Sequence, residues 1–326
     1  MVAVGLSAGA VARIRFAVSA LWEVAASLRV LRRPDLHAVH LPWVHAVRPA
    51  LVSAGLVDTG DSLLWQLIPS EPGYLPDFLT PAPSGLIADL DTELATLRET
   101  PATVIRTQLA LQGGQPARIV RDFAADPASG MRRLTGEIAA YWRIALAADW
   151  PRIRRLLDVE VSGRARALAE RGAADLLNGL HERVTWADGV LSVAARYCDA
   201  DDVADGHGLI LVPSVFAWPT VLTIADVNWP QLAYPARGVA TLWERAPRPS
   251  DALIGVLGRT RAALLVEMRV PASTSELAQR TGITVGGVSQ HLAALRAAGL
   301  ASTRREGRSV MNTRTEVADA LLAASA

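Results

Sequence analysis

Thr284, Ser289, Gln290 and His291 fall within about two turns of one helical stretch, and Arg304, Arg305 and Arg308 follow around a Glu306-Gly307 turn. Glutamine carries a donor and an acceptor side by side and pairs with a base edge, while hydroxyl and imidazole groups donate to bases or phosphates. Guanidinium groups hold phosphate oxygens, which sets affinity and register rather than sequence preference. The chemistry these residues suit is recognition of duplex DNA, with a helix in the major groove and an arginine-tipped flap along the backbone.

The elements that must position them are legible nearby. Ser273 and Glu276 have capping-box spacing, Leu277 and Ala278 give the first short helix an apolar side, and Gly282 ends it. Thr284 caps a second helix with Val285, Val288, Leu292 and Leu295 on one face and Gly286, Gln290, Ala293 and Ala297 on the other. Gly299 stops that helix, and Leu300 to Arg305 and Arg308 to Thr313 read as two strands of a hairpin. Helix, turn, helix and basic hairpin make a winged helix-turn-helix. Asp251 to Met268 reads as a long apolar helix leading into it, and Glu316 to Ala324 as a closing one.

The run from Thr284 through Val288-Ser289-Gln290-His291-Leu292 to Leu295, then Ala298-Gly299-Leu300 and the Arg-Arg-Glu-Gly-Arg wing, resembles the ArsR-type winged-helix repressors of bacteria. The resemblance covers roughly the last quarter of the chain. It implies a homodimeric transcriptional regulator, usually a repressor released by an effector, with the flanking helices pairing two subunits. Gly286 and Gly287 depart from a stable helix start, each costing about 1 kcal/mol relative to alanine, so readout there is loose or tightens only on DNA. The leading part is similar to an uncharacterised domain that precedes ArsR-type readers in actinobacterial regulators, on the runs Leu75-Pro76-Asp77-Phe78-Leu79 and Tyr234-Pro235-Ala236-Arg237-Gly238. That similarity assigns no chemistry to individual residues.

A chain of 326 residues accommodates two domains. The division expected is a sensor and dimer-support domain over 1–245, a linker at 246–250 and the winged helix over 251–326. All nine tryptophans precede the linker and no Phe, Trp or Tyr follows it. The net charge is +1, yet Ser250 to Ala326 holds nine arginines against six acidic residues. There is no lysine, which excludes a Walker phosphate loop, a Schiff-base lysine and a Ser-x-x-Lys nucleophile. Cys198 is the only cysteine, which excludes an intrachain disulfide and multi-thiolate metal sites and fits a reducing cytoplasm. Met1 to Ala12 lacks a basic leader, is short for a membrane span and reads as a ragged end. Gly206 to Ala225 is interrupted by Pro213 and Pro219 and reads as buried strand, so no membrane segment is expected.

In the leading domain, Arg13 to Ala17 alternates like a strand, and Ser19 caps a helix that Pro34 stops. Further helices are expected over Asp89–Thr100, Pro101–Ala110, Met131–Ala148 and Pro151–Ala169. Arg183 to Val193 is a hairpin around Asp188-Gly189, and Leu209–Phe216 and Thr220–Ala225 add strands. The fold class is α+β: a mostly helical domain with a small antiparallel sheet, then the winged helix.

Other candidates give way to plainer readings. Gly5-Leu6-Ser7-Ala8-Gly9 spells a nucleophile elbow, but an extreme N-terminus offers neither the strand nor the helix that motif needs. His37, His40 and His45 lack the spacing of one helix face for zinc. Asp199, Asp201, Asp202 and Asp205 fail the calcium-loop register, and Cys198 has no evident cation to activate it. The tryptophans and tyrosines are core, or line an effector pocket. No catalytic residue, metal or cofactor is expected. The function expected is a non-enzymatic, sequence-specific DNA-binding regulator: a cytoplasmic homodimeric repressor that responds to an unknown effector, a small molecule or a partner. The competing readings are a scaffold that binds protein through the winged module, and an enzyme domain with a winged-helix adapter.

Overall fold

A computed structural model describes residues 2–69, 73–86, 89–113, 115–194, 207–224, 229–243, 249–268, 271–306 and 309–325. Cys198, the aspartates of 199–205, linker residues 246–248 and Arg308 lie outside the described residues. The chain forms two compact units, Met1–Trp243 and Glu244–Ala326.

The leading unit opens with β1 (Val2–Gly5) and α1 (Ala8–Ala12), where a ragged end was expected. Ser7 caps α1 by accepting the Ala10 amide at 3.1 Å, a local signal that the apolar letters around it obscure. The Gly5–Gly9 motif therefore does lie between a strand and a helix. β1 is nevertheless the edge of a three-stranded sheet, and Ser7 has ordinary extended backbone (φ −61°, ψ 159°) and a hydroxyl engaged in capping, unlike a strained elbow inside a large sheet.

β2 (Arg15–Phe16) leads into α2 (Ala20–Arg32), which Ser19 caps through the Trp22 amide. α2 is buried almost all round, as suits a central helix. Around it lie α3 (Leu41–Ser53), α4 (Leu63–Leu67), α5 (Leu90–Arg98), α6 (Ala102–Ala110), α7 (Arg118–Ala125) and α8 (Pro127–Ala145). α9 (Trp150–Asn178) kinks at Gly172, whose φ of 83° a side chain would strain.

β3 (Val184–Ala187) and β4 (Val190–Val193) form the expected hairpin, with Asp188 and Gly189 both at positive φ, and β1 pairs with β4 to complete an antiparallel sheet. β5 (Ile210–Ser214), β6 (Leu222–Ile224) and β7 (Gln231–Pro235) join β2 in a second sheet of order β2-β5-β7-β6. The α+β class holds, but the strands divide between two sheets, and β2/β5 and β5/β7 are parallel. All five residues of β5 are buried, and Ile210 to Pro213 form an apolar run without the alternation that signals an antiparallel partner.

Long-range polar contacts tie the helices to this sheet. Glu23 of α2 accepts from Val215 N at 2.8 Å, Ser214 Oγ at 3.0 Å and Phe216 N at 3.3 Å just past β5, and burial pushes its carboxyl up to about 7. Trp22 Nε1 donates to Gln231 Oε1 at 2.8 Å, and Gln231 Nε2 donates to the Thr80 carbonyl at 2.9 Å. Glu93 accepts the Leu21 amide at 2.9 Å, and burial raises it to about 7 as well.

The three histidines do not converge. The His37 ring lies 2.8 Å from the Trp218 carbonyl through Nδ1, His40 Nδ1 accepts from Trp243 Nε1 at 2.9 Å, and His45 is exposed. Burial, reinforced by His37, pushes His40 down to about 3. Trp43, Phe216 and Trp243 pack on one another with tilted rings, their centroids 4.6 to 6.1 Å apart.

The second unit contains α10 (Asp251–Leu257), α11 (Arg259–Glu267), β8 (Ala272–Ser273), α12 (Thr274–Thr281), α13 (Val285–Ala297), β9 (Ala301–Glu306), β10 (Ser309–Arg314) and α14 (Glu316–Ala324). The single helix expected over 251–268 breaks at Gly258, which takes φ 79° and ψ 150°. The apolar letters continue on both sides of that glycine and hide the break. Leu264, Leu265, Met268, Leu277, Val288, Leu292, Leu295 and Leu300 form one aliphatic core. No helix among the described residues is long and apolar enough to cross a membrane.

Candidate nucleic-acid interface

The helical pair is assembled from reciprocal caps. Glu276 N donates to Ser273 Oγ at 3.2 Å, and Ser273 N donates to Glu276 Oε2 at 2.8 Å, completing a capping box on α12. Gly282 ends α12 in the left-handed region at φ 70°, so the chain reverses within a short turn. Thr284 then caps α13, its Oγ accepting the Gly287 amide at 3.2 Å.

On α13 the core side is Val288, Leu292 and Leu295, each at most 1 % exposed. Gly286, Ser289, Gln290, Ala293, Ala294 and Ala297 are exposed, Thr284 is exposed at the cap, and Gly287 and His291 are half-buried at the border. Gln290 makes no hydrogen bond among the described residues, so its amide is available to a base edge. Val285 departs from the reading that placed it on the apolar face: it is 51 % exposed. The first turn of α13 runs past the end of the core, so a residue at the correct helical angle meets no partner.

The wing is β9 paired antiparallel with β10, with Val310 opposite Arg305 and Met311 opposite Arg304. Buried Asn312 donates from Nδ2 to the Ala272 carbonyl at 3.1 Å, which ties the wing to β8 beside α12. Ser302 and Thr313 hydroxyls meet at 2.9 Å, and Thr315 Oγ1 donates to the Gly299 carbonyl at 2.7 Å. Arg304 and Arg305 are both exposed. As consecutive strand residues they project to opposite faces of the hairpin. Arg280 and Arg314 face Glu267 and Asp319 at 3.9 and 2.8 Å, whereas Arg304 has no ion pair among the described residues.

Thr284, Gly286, Gly287, Ser289, Gln290 and His291 thus share one helix start, and Arg304 and Arg305 occupy the hairpin that follows it. Residues 257–304 match a family described as a helix-turn-helix domain, and residues 98–240 match a family of unknown function (DUF5937). No curated protein matches the chain, and no solved structure does. The C-terminal region is a helix-turn-helix of the ArsR type, preceded by a domain of unknown function. At a general level, the helix-turn-helix supports a DNA-binding regulator.

Proposed function

We propose that the chain is a sequence-specific, non-enzymatic transcriptional regulator: a homodimeric repressor, working in the cytoplasm beside its DNA, whose leading domain answers a small-molecule effector. One arrangement carries the reading. An exposed glutamine stands on a capped helix free of acidic residues, and exposed arginines stand on the hairpin tied to the same small unit.

Dimerisation follows from the resemblance of the reader to the ArsR type, whose flanking helices pair two subunits; Val256 of α10 and Val317 of α14, 76 % and 62 % exposed, are the apolar side chains such a pairing would cover. The place offered for an effector is an open, polar recess along α9, lined by Arg164, Arg171, Asp175, Leu176 and Asn178 and by no tryptophan or tyrosine.

The test is fluorescence anisotropy of the full chain with random duplex DNA at low and moderate salt, paired with sedimentation of the free protein. Retention that weakens with salt and a dimer mass that V256D/V317D reduces to a monomer are expected. Binding indifferent to salt, or absent at low salt, favours the protein scaffold instead.

A further inference from the structure

Resting on the duplex-binding reading, the composition of one helix face identifies which base pairs the helix takes. Gly286, Gln290, Ala293 and Ala297 follow one another at helical spacing along the exposed side of α13, opposite the buried Val288, Leu292 and Leu295. The helix has no arginine before Arg296 in its last turn, and the chain has no lysine. The groups that commonly pair with guanine O6 and N7 are therefore missing from the stretch that enters a groove first. On that stripe what remains is one carboxamide among side chains no larger than a methyl, with Ser289 and His291 beside it. A carboxamide pairs with the N6 and N7 edge of adenine, and small apolar surface suits the C5 methyl of thymine.

The two glycines at the helix start differ in a way that supports this. A Cβ at Gly287 would lie 3.0 Å from Ile283 Cγ2 and 3.2 Å from the capping Thr284 Oγ1, so packing within the turn accounts for Gly287. A Cβ at Gly286 would meet nothing within 4 Å, and its φ is an ordinary helical one. The fold has no use for a glycine there and would be steadier with alanine. Gly286 sits one turn before Gln290 on the same stripe, where a missing side chain lets backbone approach whatever the helix lies against.

We propose that α13 reads A·T pairs, Gln290 pairing with the N6–N7 edge of an adenine while the bare backbone at Gly286 and the methyl of Ala293 lie against thymine methyls on either side.

The test selects duplexes with the full chain from a randomised pool, then measures affinity for the selected sequence carrying single-atom or single-group changes. Replacing one adenine by 7-deazaadenine removes N7, and replacing one thymine by deoxyuridine removes the methyl. Enrichment of A·T pairs is expected, with a loss of about two- to twelve-fold for the critical 7-deazaadenine, which removes one of the two hydrogen bonds and keeps the one to N6. Losing a single buried methyl corresponds to about four-fold. Q290A is expected to bind the selected duplex more weakly and to ignore the 7-deaza change. G286A is expected to raise the thermal midpoint of the second unit and still lower affinity for the selected duplex, by more than for random duplex.

Enriched G·C pairs, a parent protein indifferent to 7-deazaadenine, or G286A binding the selected duplex like the parent would overturn the assignment while leaving duplex binding intact. Failure to enrich any duplex at low salt would overturn the duplex reading itself, and this inference with it.

Discussion

The caps that start the helices of the second unit span three residues and the bond that ties down its wing, Asn312 to Ala272, spans 40, whereas polar contacts of the leading unit reach across most of its length. Ser273 and Glu276 cap each other three residues apart, and Thr284 reaches Gly287 at the same distance in sequence. In the leading unit, Glu23 reaches Val215 across 192 positions and Trp22 reaches Gln231 across 209. The contrast extends to what each unit responds to. Glu23, Glu93 and His40 are buried, so their ionisation is coupled to folding, whereas Gln290, Arg304 and Arg305 are exposed, so their energetics depend on salt and on a partner. With a hydrophobic core of its own, the second unit is expected to unfold separately from the leading one.

The largest effect expected tests that independence. L292A removes a fully buried side chain of the second core and should cost that unit roughly 2–5 kcal/mol. Because every tryptophan precedes the second unit, fluorescence reports the leading unit alone while circular dichroism reports both. The variant should lose a helical transition at lower urea with the fluorescence midpoint unmoved. A fluorescence midpoint that falls in step would mean that the two units unfold as one.

A second perturbation sharpens the comparison from the other side. Glu93 rises from an ordinary 4.5 to about 7, so its folded form holds a proton that its unfolded form releases. Its contribution is fully present below pH 4.5 and is lost as pH climbs to about 7, a change of roughly 3 kcal/mol. His40 acts in the opposite direction: depressed from 6.5 to about 3, it favours folding above 6.5 and loses that contribution as pH falls toward 3. Comparing E93Q with the parent isolates the carboxyl. The variant should gain stability relative to the parent between pH 4.5 and 7, read by tryptophan fluorescence in urea, and a difference flat with pH would contradict the burial argument.

The smallest effect concerns the cap. S273A leaves the Glu276 amide without its partner and should cost about 1 kcal/mol in the second unit only. A calorimetric shift in the leading unit would show that the cap has distant consequences.

The same contrast governs what could be read from the letters. Caps, glycine stops and a tight turn act over a few positions, so α12, α13, the wing and the exposure of Gln290 follow from local pattern. Val285 and the break at Gly258 did not follow, because one depends on where the core ends and the other on a backbone angle inside an unbroken apolar run. In the leading unit, Ser19 and Asp188-Gly189 announced α2 and the β3–β4 hairpin by equally local means. β7 and the parallel pairing of β5 had no such signal, and Glu23 and Gln231 are charged and polar letters that a surface position would have explained equally well.

The most direct test of the central claim is the salt dependence of duplex affinity for the full-length parent and R304A, plotted as log K against log salt. A wing arginine that neutralises one phosphate predicts weaker binding on every sequence and a slope shallower by about 0.9 in the variant. Identical slopes for the two proteins would contradict the account, because the exposed guanidinium of Arg304 would then not be gripping DNA.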